Sequence, residues 1–270
     1  MTILQAFILG IIQGATEFLP ISSSGHLVLV PHLLGWTIPA EQVFVFDTLV
    51  QMGTLVAVII YFWRDLWDII TVTLTNIWRP NQYSHYEVRL GIYLIIASIP
   101  AMIAGFLLLD SIEAAFHNPK ATAGFLLLTA ALLLIGERLG QRRRAITELH
   151  WHDALVMGLF QALALFPGVS RSGATITGGL LRNLERPAAA RFSFLMSVPV
   201  MLGAGALALL DLFQMSNLAL FSTPLLVGFL TAAVVGYLAI DWLIKFLGNN
   251  PIYFFSIYLV ALSLLVLVLV

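Results

Sequence analysis

The sequence predicts an all-α polytopic membrane protein, with six full transmembrane helices and two re-entrant helix hairpins in inverted-topology repeats. Three observations support this prediction. The 270-residue chain is 60% hydrophobic and 10% charged, and its mean hydropathy is +0.97, which is typical of membrane proteins. Six stretches are apolar over roughly the ~20 residues that a helix needs to cross a bilayer. Two other apolar stretches are too short to cross and share one unusual polar motif.

The six predicted spans are each near the length that a crossing helix needs. Between the first two spans, residues 66–78 carry Trp67 and Trp78, and tryptophan favours the level of the lipid headgroups, so we expect this stretch to lie at the interface. The six predicted spans are 46–63, 90–109, 119–137, 190–210, 220–244 and 251–270.

The two short apolar stretches are predicted to be helix–break–helix hairpins. Residues 2–16 are apolar up to Glu17, and a second helical run follows Ser24; residues 154–166 are apolar, and a second run resumes at Gly173. At 1.5 Å per residue neither arm reaches across the ~30 Å hydrocarbon core. Each break contains proline and is followed by serines suited to capping a new helix, so each hairpin should enter and leave on one side.

The positive charges predict the orientation of the spans. Eleven arginines and lysines fall in loops on one side of this model, whereas Lys120 falls on the other side. Positive loops stay cytoplasmic, so both termini should face outward. Three crossings then separate the hairpins, which must insert from opposite faces and meet near the midplane. We therefore expect a single transmembrane domain over 1–270, with repeat one at about 1–140 and repeat two at about 151–270.

The shared polar motif recurs at an offset of 148 positions. The copies differ in their ionisable residues, because Glu17 and His26 occur only in the first copy and Arg171 only in the second. Ionisable side chains at membrane depth are expensive and mark a functional site. The matching pairs are Gly10 with Gly158, Gln13 with Gln161, Ser22 with Ser170, Ser24 with Ser172 and Gly25 with Gly173.

The second copy and the helix starts indicate an anion site. Helices that begin near Gly25 and Gly173 would aim their N-termini, which carry free N–H groups and the positive end of the dipole, at a shared space. The Arg171 guanidinium suits two phosphate oxygens, and Ser170, Ser172 and Thr175 can donate further hydrogen bonds. The alternative is structural: Arg171 pairs with Glu17, and the serines only cap helices.

The first copy offers candidates for catalysis. His26 lies within one helical turn of Ser22 and Ser23, which suits either a serine nucleophile assisted by histidine or a histidine nucleophile; ordinary hydrogen bonding is the alternative. Glu17 could hold a divalent cation on a phosphate or set the tautomer of His26, and Gln13, four residues earlier, is neutral and can only support it. Asp47 and Gln51, four residues apart at the start of the next span, either extend the polar lining or simply cap the helix.

The two motifs closely resemble those of the bacterial undecaprenyl-diphosphate phosphatase family, also called the bacitracin-resistance family, and the resemblance extends over nearly the whole chain. It implies a hydrolase of the bacterial inner membrane that removes the terminal phosphate of the C55 isoprenoid diphosphate carrier, so that the carrier is recycled for cell-wall synthesis. The motifs are Gln13-Gly14-Ala15-Thr16-Glu17-Phe18-Leu19-Pro20 with Ser22-Ser23-Ser24-Gly25-His26, and Pro167-Gly168-Val169-Ser170-Arg171-Ser172-Gly173-Ala174-Thr175.

The resemblance also implies roles for individual residues. A divalent cation, Mg²⁺ or Ca²⁺, is expected, and Glu17 would hold it because the first acidic position of the family motif is Gln13 here. The active site would face the periplasm or exterior. The candidate catalytic residues are Glu17, Ser23, His26 and Arg171, and the candidate substrate-binding residues are Gln13, Ser22, Ser24, Ser170, Ser172, Gly173 and Thr175.

Two other classes of function remain open at this point. Inverted repeats with broken helices also occur in transporters, so a transporter or flippase of polyprenyl phosphates is the main alternative. A purely structural membrane scaffold is the other class, but it would not explain why ionisable residues such as Glu17 and Arg171 lie within the membrane. The expected partners are a polyprenyl diphosphate substrate, membrane lipids and, as one form of assembly, a second copy in a homodimer. With a net charge of −1, no nucleic-acid partner is expected, and the absence of cysteine excludes disulfides and thiolate metal sites.

Overall fold

The part of the chain that the structure describes is built from α-helices. The structure is a computed structural model and describes residues 1–38, 40–76, 78–79, 81, 85–116, 118–212 and 218–269. A short 3₁₀ turn at Ile146–Glu148 joins the two halves. The helices are α1 (Ile3–Phe18), α2 (Ser23–Leu33), α3 (Ala40–Tyr61), α4 (Trp63–Asn76), α5 (Tyr86–Leu107), α6 (Leu109–Phe116), α7 (Pro119–Leu139), α8 (Trp151–Leu163), α9 (Arg171–Leu181), α10 (Arg186–Leu212), α11 (Leu218–Asn249) and α12 (Tyr253–Leu269).

Each of the six predicted spans falls on a helix, and the helices make this a multi-pass membrane protein. Within the described residues, four helices are long and apolar enough to cross a membrane: Tyr86–Leu107, Pro119–Leu139, Arg186–Ala206 and Ser222–Asn249. The α3–α4 pair also qualifies, but its helices are bent by 78° at the break between them, and the interfacial course of 66–78 stays a prediction. The apolar part of α12 is shorter than these spans, so six full crossings stay a prediction.

Two helix pairs have the predicted helix–break–helix form, and each is a hairpin. In the second pair, Asp153 at the start of α8 accepts a hydrogen bond from Arg182 at the end of α9 at 2.6 Å, so both open ends lie together. In the first pair, the Met1 amine donates to Gln42 of α3 at 2.6 Å, which places the start of α1 beside the segment that follows α2. The second hairpin opens at the other end of α3, because Tyr61 at the end of that helix lines one cavity with Glu185, which follows α9. The two hairpins therefore open at opposite ends of α3.

Glycines let the first arm of each hairpin pack closely on a long helix. A Cβ added to Gly10 of α1 would lie 2.7 Å from the backbone oxygen of Gly228 in α11. A Cβ added to Gly158 of α8 would lie 2.5 Å from the oxygen of Ala97 in α5. Such contacts require a small residue, since lipid gives helices no hydrophobic reason to associate and close packing holds them instead. The matched glycines of the two motif copies thus have the same packing role, since each lets a first arm approach the backbone of a long helix.

Ion pairs join the loops at the arginine-rich end of the molecule, where α7 ends and α8 and α10 begin. Asp153 is fully buried and pairs with Arg144 at 2.7 Å and with Arg182 at 2.6 Å. Glu137 pairs with Arg142 at 2.6 Å and also with Arg186. The arginines that the sequence analysis used as topology signals therefore also tie the helix ends together.

Replacing Asp153 by alanine should strongly destabilise the protein. The change leaves two guanidiniums without their buried partner, and breaking such a pair costs ~3–5 kcal/mol, with the lower figure expected because both arginines are partly exposed. Thermal unfolding of the detergent-purified protein would measure the loss. Arg143→Ala is the control, because Arg143 is an exposed residue in the loop between α7 and α8. Equal unfolding temperatures for the two variants would contradict the structural role of Asp153.

Candidate active site

The two breaks meet, and three hydrogen bonds join them. The Arg171 guanidinium donates to Glu17 Oε1 at 2.7 Å. The Ser172 hydroxyl donates to the Leu19 backbone oxygen at 3.0 Å, and the Gly168 N–H donates to Ser24 Oγ at 3.4 Å. Glu17 and Arg171, two of the three ionisable residues that differ between the motif copies, are thereby brought to one place, and they form the pair that the structural alternative predicted.

Glu17 is the centre of this polar cluster. It is only 5% exposed and lies at the last turn of α1. One carboxylate oxygen accepts from Arg171, and the other accepts from Gln13 Nε2 at 2.8 Å and from the Ser23 hydroxyl at 2.5 Å. A buried carboxylate needs this many donors, because losing its hydration is costly unless charge and hydrogen bonds replace it.

A cavity of about 240 Å³, with polar residues on one part of its wall and apolar residues on the rest, opens beside this cluster. Within the described part of the chain, the Arg171 guanidinium bonds Glu17 alone, so its other N–H groups remain for a ligand. The volume and the charged wall suit a small anion such as a phosphoryl group. Its lining residues are Glu17, Ser22, Ser23, Ser24, Gln51, Gln161, Ala164, Leu165, Val169, Ser170, Arg171, Val200, Met201 and Ala204.

Both second arms begin at the cavity, and each has a serine cap. Ser22 accepts from the Gly25 N–H at 3.2 Å at the start of α2, and Ser170 accepts from the Gly173 N–H at 3.1 Å at the start of α9. The first turns of α2 and α9 thus present the positive ends of two helix dipoles. Together with Arg171 they form a site that stabilises negative charge.

The backbone of the first break is unusual at Ser22. Its φ of 70° lies in the left-handed region, which costs a residue other than glycine ~1–3 kcal/mol and persists only where the surroundings enforce it. The next residue, Ser23, is the first of α2, and its hydroxyl reaches back across the break to Glu17. The turn at Ser22 therefore sets the direction of the Ser23 side chain.

His26 is placed differently from what its spacing suggests. Its Nδ1 lies 2.7 Å from the Ser22 backbone oxygen, and its Nε2 lies 2.6 Å from the hydroxyl of Tyr258 in α12. Among the described residues no hydrogen bond joins His26 to Ser23, whose partner is Glu17. The structure thus brings together Ser23, Glu17 and Arg171, while His26 faces α12. A direct catalytic role for His26 stays a prediction.

The remaining predicted binding residues support the breaks. The Gln13 amide donates a hydrogen bond to Glu17 from one turn earlier on α1. Ser24 and Ser172 take part in the hydrogen bonds that join the two breaks. Thr175 donates to the Arg171 backbone oxygen at 2.7 Å, and the amide of Gly173 is used by the Ser170 cap. Contact between any of these residues and a ligand stays a prediction.

Sequence reasoning missed three contributors to the site. Thr129 of α7 accepts from the Ser170 N–H at 3.0 Å and donates to the Gly168 oxygen at 3.2 Å, so it fixes the second break. Gln161 lines the cavity, and its position as the counterpart of Gln13 was the available signal. Tyr258 and Thr129 lie within apolar helices, where single hydroxyls give no signal. Gln51, left open above, lies on the cavity wall.

The fold and the cavity together define a class: an α-helical, multi-pass membrane protein with a cavity lined by a carboxylate, serines and an arginine where two helix breaks meet. The chain matches the model of the family described as bacitracin resistance protein BacA over residues 6–265, and it belongs to that family. It is similar to undecaprenyl-diphosphatase of Moorella thermoacetica, with 44% identity over 98% of this chain and 97% of the relative. It is also similar to the undecaprenyl-diphosphatases of Thermomicrobium roseum, with 43% identity over 100% and 99%, and of Synechocystis, with 43% identity over 99% and 82%.

Gly168→Ala should disrupt the second break. Gly168 has a φ of +96°, and an added Cβ would lie 2.3 Å from the backbone oxygen of Thr122, so the break must shift away from α7. We expect a lower unfolding temperature in detergent and a loss of anion binding. Gly124→Ala is the matched control, because it lies on α7 with nothing within 4 Å of the added carbon. A Gly168→Ala variant as stable as the Gly124→Ala variant would contradict this geometry.

Proposed function

We propose that this protein hydrolyses undecaprenyl diphosphate to undecaprenyl phosphate and inorganic phosphate, which recycles the lipid carrier for cell-wall synthesis and confers bacitracin resistance. The family and its undecaprenyl-diphosphatase relatives support this function. The observation that carries it is the contact of Ser23 and Arg171 with one buried carboxylate, Glu17, on the wall of a phosphate-sized cavity.

The arginine and the helix starts would bind the diphosphate. Arg171 offers its unused N–H groups to the phosphoryl oxygens, and the first turns of α2 and α9 add backbone N–H groups and dipoles. Phosphoryl transfer spreads negative charge over the equatorial oxygens in the transition state. Donors that are already positioned stabilise that charge without reorganisation.

Ser23 is the proposed nucleophile, and Glu17 is the base that the geometry supports. The Ser23 oxygen attacks the terminal phosphorus, its proton passes to Glu17, and the bond to the bridging oxygen breaks so that undecaprenyl phosphate leaves. Water then attacks the phosphoserine, the released phosphate keeps the water oxygen, and Glu17 returns the proton to Ser23. The 2.5 Å contact between Ser23 and Glu17 favours this assignment over direct attack by His26.

The residues on the cavity wall fit a divalent cation. Mg²⁺ and Ca²⁺ prefer oxygen ligands, and Mg²⁺ is often held by one or two carboxylates together with substrate phosphates. Glu17 supplies one carboxylate, and Ser23 and Gln51 supply neutral oxygens on the same wall. Such a cation would neutralise phosphoryl charge when it is bound. Because Gln13 is an amide, Glu17 is the residue that would hold it.

The transporter alternative uses the same anion site but has no use for a nucleophile. Ser23 hydrogen-bonded to a buried carboxylate is the arrangement that activates a hydroxyl for attack. This contact favours hydrolysis, as do the undecaprenyl-diphosphatase relatives.

In the membrane, we propose six crossings and two re-entrant hairpins in the bacterial inner membrane. Repeat one (1–140) and repeat two (151–270) would be related by inverted topology, with the arginine-rich end in the cytoplasm and the cavity open to the exterior. The hairpins that open at opposite ends of α3 support this arrangement. Assembly as a homodimer stays a prediction.

Substitutions in the site should abolish phosphate release from purified protein supplied with undecaprenyl diphosphate. Removal of a positioned charge donor or a general base costs ~10²–10⁴-fold in rate, so Arg171→Ala, Glu17→Gln and Ser23→Ala should each fall in this range. Arg138→Ala, an exposed arginine at the end of α7, should stay within about twofold of the original activity. Robust turnover by Ser23→Ala would exclude Ser23 as the nucleophile.

Single cysteines should report the proposed orientation without background, because the chain has no cysteine of its own. Lys120→Cys should react with a membrane-impermeant maleimide on intact cells, since this exposed residue lies at the start of α7. Arg143→Cys should react only after the membrane is made permeable. Labelling of both positions from the same side would contradict the predicted topology.

A further inference from the structure

We propose that Tyr258 is a positioning residue for the reaction and acts through His26, which holds the Ser22 turn and so keeps the Ser23 hydroxyl directed at Glu17. This inference rests on the proposed function. Tyr258 lies 232 residues after His26, on α12, and its hydroxyl is 2.6 Å from His26 Nε2. The two rings are nearly parallel, with an interplanar angle of 6° and centroids 5.7 Å apart.

The hydrogen bonds determine which nitrogen of His26 carries the proton. A backbone carbonyl can only accept, so the contact of Nδ1 with the Ser22 oxygen requires hydrogen on Nδ1. In the neutral ring Nε2 is then an acceptor, and the Tyr258 hydroxyl donates to it. Both nitrogens are thus occupied, and neither is available to take a proton from Ser23 in this arrangement.

His26 holds the Ser22 carbonyl with two hydrogen bonds. The backbone N–H of His26 donates to that oxygen at 3.2 Å, and the ring Nδ1 donates to it at 2.7 Å. Ser22 needs this support, because its φ of 70° is unfavourable for a residue with a side chain. If the ring were free to turn, the carbonyl would lose its second donor and the turn would relax. Ser23, the next residue, would then leave Glu17.

Tyr258 prevents the ring from turning. His26 is only 6% exposed, so an Nε2 without a donor would be a buried, unsatisfied acceptor. The Ser22 oxygen selects the tautomer with hydrogen on Nδ1, because the opposite tautomer would place two lone pairs, on Nδ1 and on that oxygen, against each other. The Tyr258 hydroxyl, which can donate or accept, holds the ring in place against this oxygen. A chain of contacts therefore runs from α12 through His26 and Ser22 to Ser23.

The first test needs no variant. Nitrogen-15 NMR of histidine-labelled protein in detergent should show the His26 ring with hydrogen on Nδ1, and Tyr258→Phe should give a mixture of tautomers. This readout does not depend on activity, so it separates failure of this inference from failure of the proposed function. A neutral His26 with hydrogen on Nε2 in the unaltered protein would overturn the proposal.

The second test measures turnover of undecaprenyl diphosphate. Loss of one neutral hydrogen bond corresponds to a rate change of about tenfold, so Tyr258→Phe should lower kcat by about this factor and change KM by less than about twofold. Tyr253→Phe removes the same hydroxyl from the same helix, at a ring that contacts Phe254, and should leave kcat unchanged. An unchanged kcat in Tyr258→Phe would contradict the inference.

The third test separates a positioning role of His26 from direct catalysis. Asparagine can present an N–H near the place of Nδ1 and keep the donation to Ser22, but it has no counterpart of Nε2. If His26 supports the turn, His26→Asn should retain a kcat about tenfold above that of His26→Ala. Equal loss in both variants, together with full activity of Tyr258→Phe, would assign His26 to the chemistry itself and reject the proposal.

Discussion

The ion pair between Glu17 and Arg171 is the contact on which the rest of the site depends. It joins residues that are 154 positions apart, and the two side chains are 3% and 15% exposed. A buried pair of this kind gains little over an apolar contact, but removal of one partner leaves a charge without compensation. The pair therefore constrains the fold more than it stabilises it. If one break were displaced from the other, Glu17 or Arg171 would remain as an unpaired charge inside the molecule.

The rest of the architecture brings these two charges together. Gly10 allows α1 to lie close against α11, and Gly158 allows α8 to lie close against α5. The breaks that end these two arms then meet. The second arms then start beside each other and direct two dipoles at one cavity. A hairpin of either kind alone would supply a cap and one helix start. Only the two together combine a carboxylate, a hydroxyl and a guanidinium at one cavity.

The sequence predicted the elements of this site better than its internal contacts. Both breaks, their serine caps and the meeting of Glu17 with Arg171 follow from the motif copies and from the cost of isolated charges in the membrane. The spacing of Ser23 and His26 suggested a pair, because residues three apart on a helix are neighbours. Ser23 is the first residue of α2, however, and its hydroxyl points back to Glu17. The side-chain partner of His26 is Tyr258 of α12. One hydroxyl in an apolar helix gives no sequence signal of such a contact.

Each break contains one residue with a positive φ, which is Ser22 in the first break and Gly168 in the second. The difference between serine and glycine has a chemical reason. The second break reaches the left-handed region with Gly168, whose missing Cβ also gives room to the Thr122 oxygen. The first break enters the same region at Ser22, whose hydroxyl caps α2. A glycine at that position would remove the strain but also the cap, and it would loosen the residue that precedes the proposed nucleophile. The strain at Ser22 thus lies directly beside the residue that is the proposed nucleophile.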